Sequence, residues 1–484
     1  MKLSLGRSLP LSGEGEHSAY TIAARDLVTH AVVTGMTGSG KTGLLFVLAE
    51  EALAKGVPVL MVDVKGDMSN LLLCFDPARP EVFVPWLDHQ SLEAEGVSPV
   101  AALCEARDKG LARAGITADT IARFRAHTFV RVLTPGSSAG EPVHLLSSLE
   151  QRSPLWDGTP SDVETARDAL ASAVSLVLRL LGRDGDPARS REHVLLCVLA
   201  ERRLQAKLPA DLPSLMHDLE TPPVDTVGAM PIDRFVSKKD RRALAAALNA
   251  LVASPSFASW RTGAPMDIAQ WLRPVANETA PRQGIENTPT QPTHKTPAVI
   301  VSVAHLDETE RTLVLGLLFD ALLAYVRSLP GTSSLRALVV LDELYGMLPP
   351  HPANPPTRRP LVALVKQARA FGVGLVLATQ NPMDLDYRAL SNAGLWFIGR
   401  LQTDADRDRV VDGLAEADAA SSDRSARRTI DQCVKRLGKR WFLVRNVHQR
   451  DKGAMVLQPR QTLSWLRGPL TRDELRRVND TEGA

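Results

Sequence analysis

Three observations predict an α/β fold, a mainly parallel sheet flanked by helices. Short apolar runs (His30–Val33, Val57–Val64, Ala298–Ala304, Arg336–Leu341, Gly374–Gln380 and Leu395–Arg400) alternate with stretches of helical periodicity. Strands alternating with helices imply parallel pairing through right-handed crossovers. The runs are nearly continuous in Val, Leu and Ile, as expected of strands buried on both faces. Several of them also end in polar residues, and the carboxyl ends of strands are where open α/β sheets hold their ligands.

The first run leads into VTGMTGSGKT, residues 33–42, which fits G-x-x-x-x-G-K-[ST] with Gly35, Gly40, Lys41 and Thr42 in the fixed positions. Thr37, Gly38 and Ser39 complete the loop, and Gly43–Lys55 follows as a run of good helix formers. Strand, glycine loop and helix together point backbone N–H groups and a helix N-terminus at phosphate oxygens. The glycines permit close approach and positive φ. A chance glycine-rich turn is the alternative, and the flanking strand and helix argue against it. The loop is expected to bind a nucleoside triphosphate, with Lys41 on the β/γ-phosphates and the Thr42 hydroxyl on Mg²⁺.

Taken in order, residues 1–29 read as a hairpin or arm leading into the first strand. The second strand ends in the polar turn Asp63-Val64-Lys65-Gly66-Asp67, and Phe129–Gly136 reads as a further strand and turn. From about Ser161 to Leu272 apolar residues recur at helical spacing, separated by breaks such as Thr221-Pro222-Pro223. The expected organisation is a first part of the core (1–150), a helical insertion (151–275), a polar linker rich in Pro, Thr, Asn and Gln (276–297), and a second part of the core (298–484). In that second part Asp307–Leu329 and Pro360–Phe371 read as helices and Leu385–Ala393 as a short one. Arg440–Arg445 and Ala454–Gln458 read as two late antiparallel strands at the sheet edge.

Arg336–Leu341 delivers Asp342 and Glu343 to the end of its strand, where Asp342 would hold Mg²⁺ and Glu343 would act as general base toward the attacking water. An acidic pair capping a turn is the plainer reading, and the upstream phosphate loop favours catalysis. Gln380 ends the next strand, and its amide could touch the γ-phosphate or its water. Arg400 ends the strand after that, suited to stabilising charge on a neighbouring subunit's nucleotide; Arg388, Arg407 and Arg409 compete for that role. Asp63, Lys65 and Asp67 lie at the ligand-facing edge without a role that chemistry alone assigns. His305 and His448 read as ordinary hydrogen-bonded side chains.

Net charge is only +2, so no overall field points to nucleic acid, but roughly the last sixty residues carry a basic run including Arg424, Arg427, Arg428, Lys435, Arg436, Lys439, Arg440, Arg445 and Arg450. Such a run is a solvated face or a DNA contact. Four cysteines without a C-x-x-C pair speak against a disulfide framework or a zinc site. No stretch has the length of a membrane span or the apolar core of a signal peptide, so a cytoplasmic location and no membrane partner are expected.

Gly35–Thr42, Val62–Asp67, Leu341–Glu343, Lys366–Gly372, Leu377–Pro382, Leu390–Gly394 and Trp396–Leu401 together resemble the HerA-like branch of the HerA/FtsK superfamily of hexameric, DNA-pumping P-loop ATPases. Thr134–Ser137 and Ser464–Thr471 are similar to segments of an uncharacterised bacterial HerA-like ATP-binding group. The resemblance implies a RecA-like (ASCE) P-loop core that binds ATP and Mg²⁺ and assembles as a hexameric ring with nucleotide at subunit interfaces. It implies Asp342 and Glu343 as the acid pair, Gln380 as sensor and Arg400 as the arginine acting in trans. Two functions follow as expectations. One is a ring that translocates or unwinds duplex DNA in DNA processing, mobile-element biology or anti-phage defence. The other is an ATP-regulated scaffold that recruits a nuclease or other effector.

Overall fold

The computed structural model describes residues 1–11, 15–87, 99–276, 294–350, 352–380, 393–401, 403–408, 424–449 and 453–482. Its centre is a twelve-stranded sheet. The strands that matter here are β1 (Lys2–Pro10), β2 (Ser18–Ala23), β3 (Ala31–Thr34), β4 (Val59–Asp63), β5 (Thr128–Leu133), β6 (His294–Ser302), β7 (Ala337–Leu341), β8 (Val373–Thr379), β9 (Leu395–Ile398), β10 (Phe442–Asn446) and β11 (Met455–Pro459). Spatially they run β5, β6, β4, β7, β8, β3, β9, β10, β11, β1, β2. The pairs from β5 to β9 are parallel and those from β9 onward antiparallel. β8 lies between the strand feeding the glycine loop (β3) and the strand feeding the acid pair (β7), the RecA-like order expected.

The continuous apolar runs divide between two faces with period two. Val32, Val62, Val339, Leu341, Leu375 and Leu377 join one buried cluster. Ala31, Val33, Met61, Leu338, Val340 and Val376 join the other. Helix α1 (Lys41–Leu53) covers the second face, which explains why nearly all of it is buried. The first face shares its buried cluster with α2 (Pro160–Leu180), α3 (Arg191–Gln205), α4 (Leu212–Glu220), α5 (Lys238–Ala253), α6 (Glu308–Ser328) and α7 (Arg358–Gln367). The helices of the expected insertion thus share one hydrophobic cluster with the core strands. Side-chain caps set their starts: Thr159, Ser190, Asp211, Ser237 and Asp307 each accept a backbone N–H of the first turn.

Two expectations are corrected. The late strands β10 and β11 are antiparallel but do not form the edge, because the N-terminal hairpin β1–β2 extends the sheet beyond β11. The final residues of the expected linker are not linker, since His294–Pro297 open β6, with Thr296 and Pro297 opposite Thr128 and Phe129. The remainder of that linker from residue 277 and the short helix expected at 385–393, apart from Ala393, lie outside the described residues. No described helix is long and apolar enough to cross a membrane.

At the other end of β3 from the glycine loop, His30 is buried with φ of 66°. Its Nδ1 accepts the Leu375 N–H at 3.1 Å and its Nε2 meets the Val365 carbonyl at 3.0 Å. Burial pushes this imidazole down to about 4, so it stays neutral and ties β3 to β8 and α7.

Candidate nucleotide site

The glycine loop runs from Gly35 at the end of β3 to Gly40, the residue before α1. Gly38 and Gly40 have φ of 75° and 101°, values that a side chain rarely adopts. Gly40 is required for a second reason: a Cβ there would stand 3.1 Å from the Cα of Arg440. Ser39 Oγ is buried without a hydrogen-bond partner. Lys41, the first residue of α1, is buried, and its Nζ donates to the carbonyls of Gly35 and, at 3.2 Å, of Met36. Burial, and then repulsion by Lys65, pushes this ammonium down to about 8, while Glu343 and Asp342 act the other way.

Because β7, β8 and β3 are parallel neighbours, their carboxyl ends bring the acid pair, Gln380 and the loop together. Gln380 links the two sides: its Oε1 accepts the Thr37 hydroxyl at 2.5 Å, and its backbone N–H donates to Glu343 Oε1 at 3.3 Å. Asp342 is 1% exposed and its Oδ2 has no hydrogen-bond partner. Burial raises this carboxyl to about 6, an effect that Lys65 opposes. A buried carboxylate oxygen without a donor, near the hydroxyl-bearing start of α1, is a donor set that fits Mg²⁺, which takes oxygen ligands from one or two side chains and from phosphates. The described residues hold no cluster of three or more His, Cys, Asp or Glu that would make an all-protein metal cage.

Arg400 is exposed, and its carbonyl accepts the Met36 N–H at 2.7 Å. Its backbone is therefore fixed against the glycine loop of its own subunit while its side chain meets solvent. Among the alternatives, Arg407 lies beside Asp404 in an ion pair, whereas Arg388 and Arg409 lie outside the described residues. The other expected residues, Gly35, Thr37, Gly38, Ser39, Gly40, Lys41 and Thr42, all lie in the loop or the first turn of α1.

Two residues at the site were not assigned from sequence. Lys65 Nζ lies 3.1 Å from Glu343 Oε2 and 3.9 Å from Asp342 Oδ2. Arg440 belongs to the basic run expected to be a solvated face or a DNA contact; instead it is half-buried, with φ of 63°, against the glycine loop, donating its N–H to the Ser39 carbonyl at 2.9 Å. A left-handed arginine costs backbone energy, of order 1–3 kcal/mol, which the surrounding contacts must offset. The sequence signals for Lys65 were its place in the polar turn and in the Val62–Asp67 motif, neither of which assigned it a role; Arg440 had none. His305 and His448 are hydrogen-bonded as expected, to the Pro135 carbonyl and to Thr29 Oγ1.

Residues 11–77 match the family model described as Helicase HerA-like C-terminal. That segment contains β2, β3, the glycine loop, α1, β4 and the Lys65 turn, and with them two of the motif stretches that carry the HerA-like resemblance, Gly35–Thr42 and Val62–Asp67. No match was found among curated proteins. Among solved structures, VirB4 of Thermoanaerobacter pseudethanolicus aligns over 94% of this chain and 96% of its own at 11% identity, with a TM-score of 0.48. The bacterial conjugative coupling protein TrwB, in a trigonal form with sulphate, aligns over 97% of this chain and 96% of its own at 14% identity and a TM-score of 0.49. TrwB in complex with ADP and Mg²⁺ aligns over 92% and 88% at 15% identity and a TM-score of 0.47. At these values the alignments add nothing to what the strand order itself establishes.

Proposed function

We propose that this chain is an ATP-hydrolysing motor of the HerA/FtsK kind, working as a ring of subunits, six in number, on duplex DNA. The observation that carries the reading is the convergence of loop, acid pair and Gln380 at one end of the sheet, with Gln380 joined to both Thr37 and Glu343. In this reading the loop N–H groups and Lys41 bind the phosphates, which requires Lys41 to exchange its loop carbonyls for phosphate oxygens. Thr42 and Asp342 would hold Mg²⁺, which neutralises charge on the β- and γ-phosphates when bound. Glu343 takes a proton from the attacking water. Gln380 relays the state of the γ-phosphate between the loop and the acid strand. The ring would serve DNA processing, mobile-element biology or anti-phage defence, with a nuclease or other effector as partner.

Arg400, exposed beside the loop, supplies positive charge to the nucleotide of an adjoining subunit. Trans-acting arginines are worth roughly 10³–10⁵ in rate where they operate. Arg400→Ala subunits mixed with wild-type subunits should therefore depress ATP turnover more steeply than the mutant fraction. The check is a titration on assemblies sized by light scattering; a strictly linear loss, or a monomer of full activity, contradicts the ring.

A further inference from the structure

The Lys65 turn is built with unusual firmness for a loop. Asp63, 0% exposed at the end of β4, accepts three backbone N–H groups of the turn: Gly66 at 2.7 Å, Met68 at 3.2 Å and Lys65 itself at 3.3 Å. From outside, the turn is braced by residues near the C-terminus. A Cβ on Gly66, whose φ is 90°, would stand 3.1 Å from Pro469 Cβ, and Asn70 Nδ2 donates to the Gly468 carbonyl at 2.9 Å. The backbone under Lys65 is thus fixed, whereas its side chain is about one-third exposed and has room to swing.

That side chain is aimed at the proposed general base. Glu343 is 12% exposed, and both of its carboxylate oxygens are engaged, Oε2 by Lys65 Nζ at 3.1 Å and Oε1 by the Gln380 N–H at 3.3 Å. A carboxylate held at one oxygen by a backbone N–H and at the other by an ammonium is poorly placed to turn toward a water. The pairing is electrostatic and partly shielded from solvent, so it is firmer than a surface ion pair yet reversible. Lys65 also repels Lys41, so positive charge on both sides of the site awaits an anion.

We propose that Lys65 is a brake on Glu343: it holds the carboxylate away from water until the ammonium is drawn off, and it thereby sets the basal rate of hydrolysis. The inference rests on the ATPase reading above. Release requires the ammonium to leave Glu343 while the nucleotide is already bound. Movement of the Gly468-Pro469 segment shifts the turn, giving a partner a route to the same release.

The test compares steady-state ATP turnover and affinity for a fluorescent ATP analogue in wild type, Lys65→Met, Lys65→Arg, Glu343→Gln, the Lys65→Met/Glu343→Gln pair and Lys41→Ala. Methionine keeps the apolar stem and removes the charge. Lys65→Met should raise kcat about fivefold, the scale of losing one partly exposed ion pair, with affinity unchanged. Lys65→Arg should restore the wild-type rate, and the double variant should be inactive, because the gain runs through Glu343. A kcat for Lys65→Met equal to or below that of wild type overturns the brake, as does a gain that survives Glu343→Gln. Failure of the underlying site shows elsewhere, as analogue binding indifferent to Lys41→Ala.

Discussion

Glu343→Gln should bind ATP normally and lose turnover by roughly 10²–10⁴-fold, the range that a positioned proton acceptor contributes. The amide keeps the size and the hydrogen bond with the Gln380 N–H but cannot take a proton from water. Lys41→Ala should lose both turnover and binding, because its ammonium is the positive charge inside the loop and its loss also empties the contacts with Gly35 and Met36. The pair of outcomes separates binding from chemistry, as a general loss of folding would not. Near-normal hydrolysis by either variant would refute the assignment of the site. Equilibrium binding of a fluorescent analogue, measured beside phosphate release, makes the distinction.

The largest effect on stability is expected from Glu50→Ala, a position outside the chemistry. Glu50 lies in α1 at 0% exposure. It pairs with Arg460 Nη1 at 2.9 Å and accepts the backbone N–H groups of Leu463 and Ser464, each at 2.9 Å. Removing it strands two buried N–H groups and leaves Arg460 with Glu51 as its carboxylate partner. Breaking a buried ion pair by deleting one partner costs about 3–5 kcal/mol. The denaturant midpoint should fall accordingly with its slope unchanged. A shift below about 1 kcal/mol would mean that the segment after β11 is not clamped to α1 as described. Since α1 begins with Lys41, loss of this clamp should also weaken nucleotide binding.

The parts of the fold that were legible in the sequence are those written in local pattern. β3, β4, β7, β8 and the Ala298–Ser302 part of β6 are continuous apolar runs, and burial on both faces leaves no other composition open to them. The glycine loop was legible because positive φ at Gly38 and Gly40 demands a residue type that the motif displays. Pairings across hundreds of residues were not legible. β1 meets β11, and nothing in MKLSLGRSLP specifies a partner strand at residues 455–459. Lys65 and Arg440 escaped assignment for the same reason: each acts through a contact with a distant segment, Glu343 in one case and Ser39 in the other. Residues at strand ends, Asp342, Glu343 and Gln380, could be named because parallel order places those ends together.

The central claim, that this ATP site drives work on DNA, is tested most directly by ATP turnover of size-defined protein with and without duplex DNA across a salt series. The account predicts that DNA raises turnover, and that the stimulation fades steeply between about 50 and about 200 mM salt as phosphate contacts are lost. ATP turnover that is indifferent to DNA at every salt concentration, in a ring that instead retains an effector protein, would contradict it.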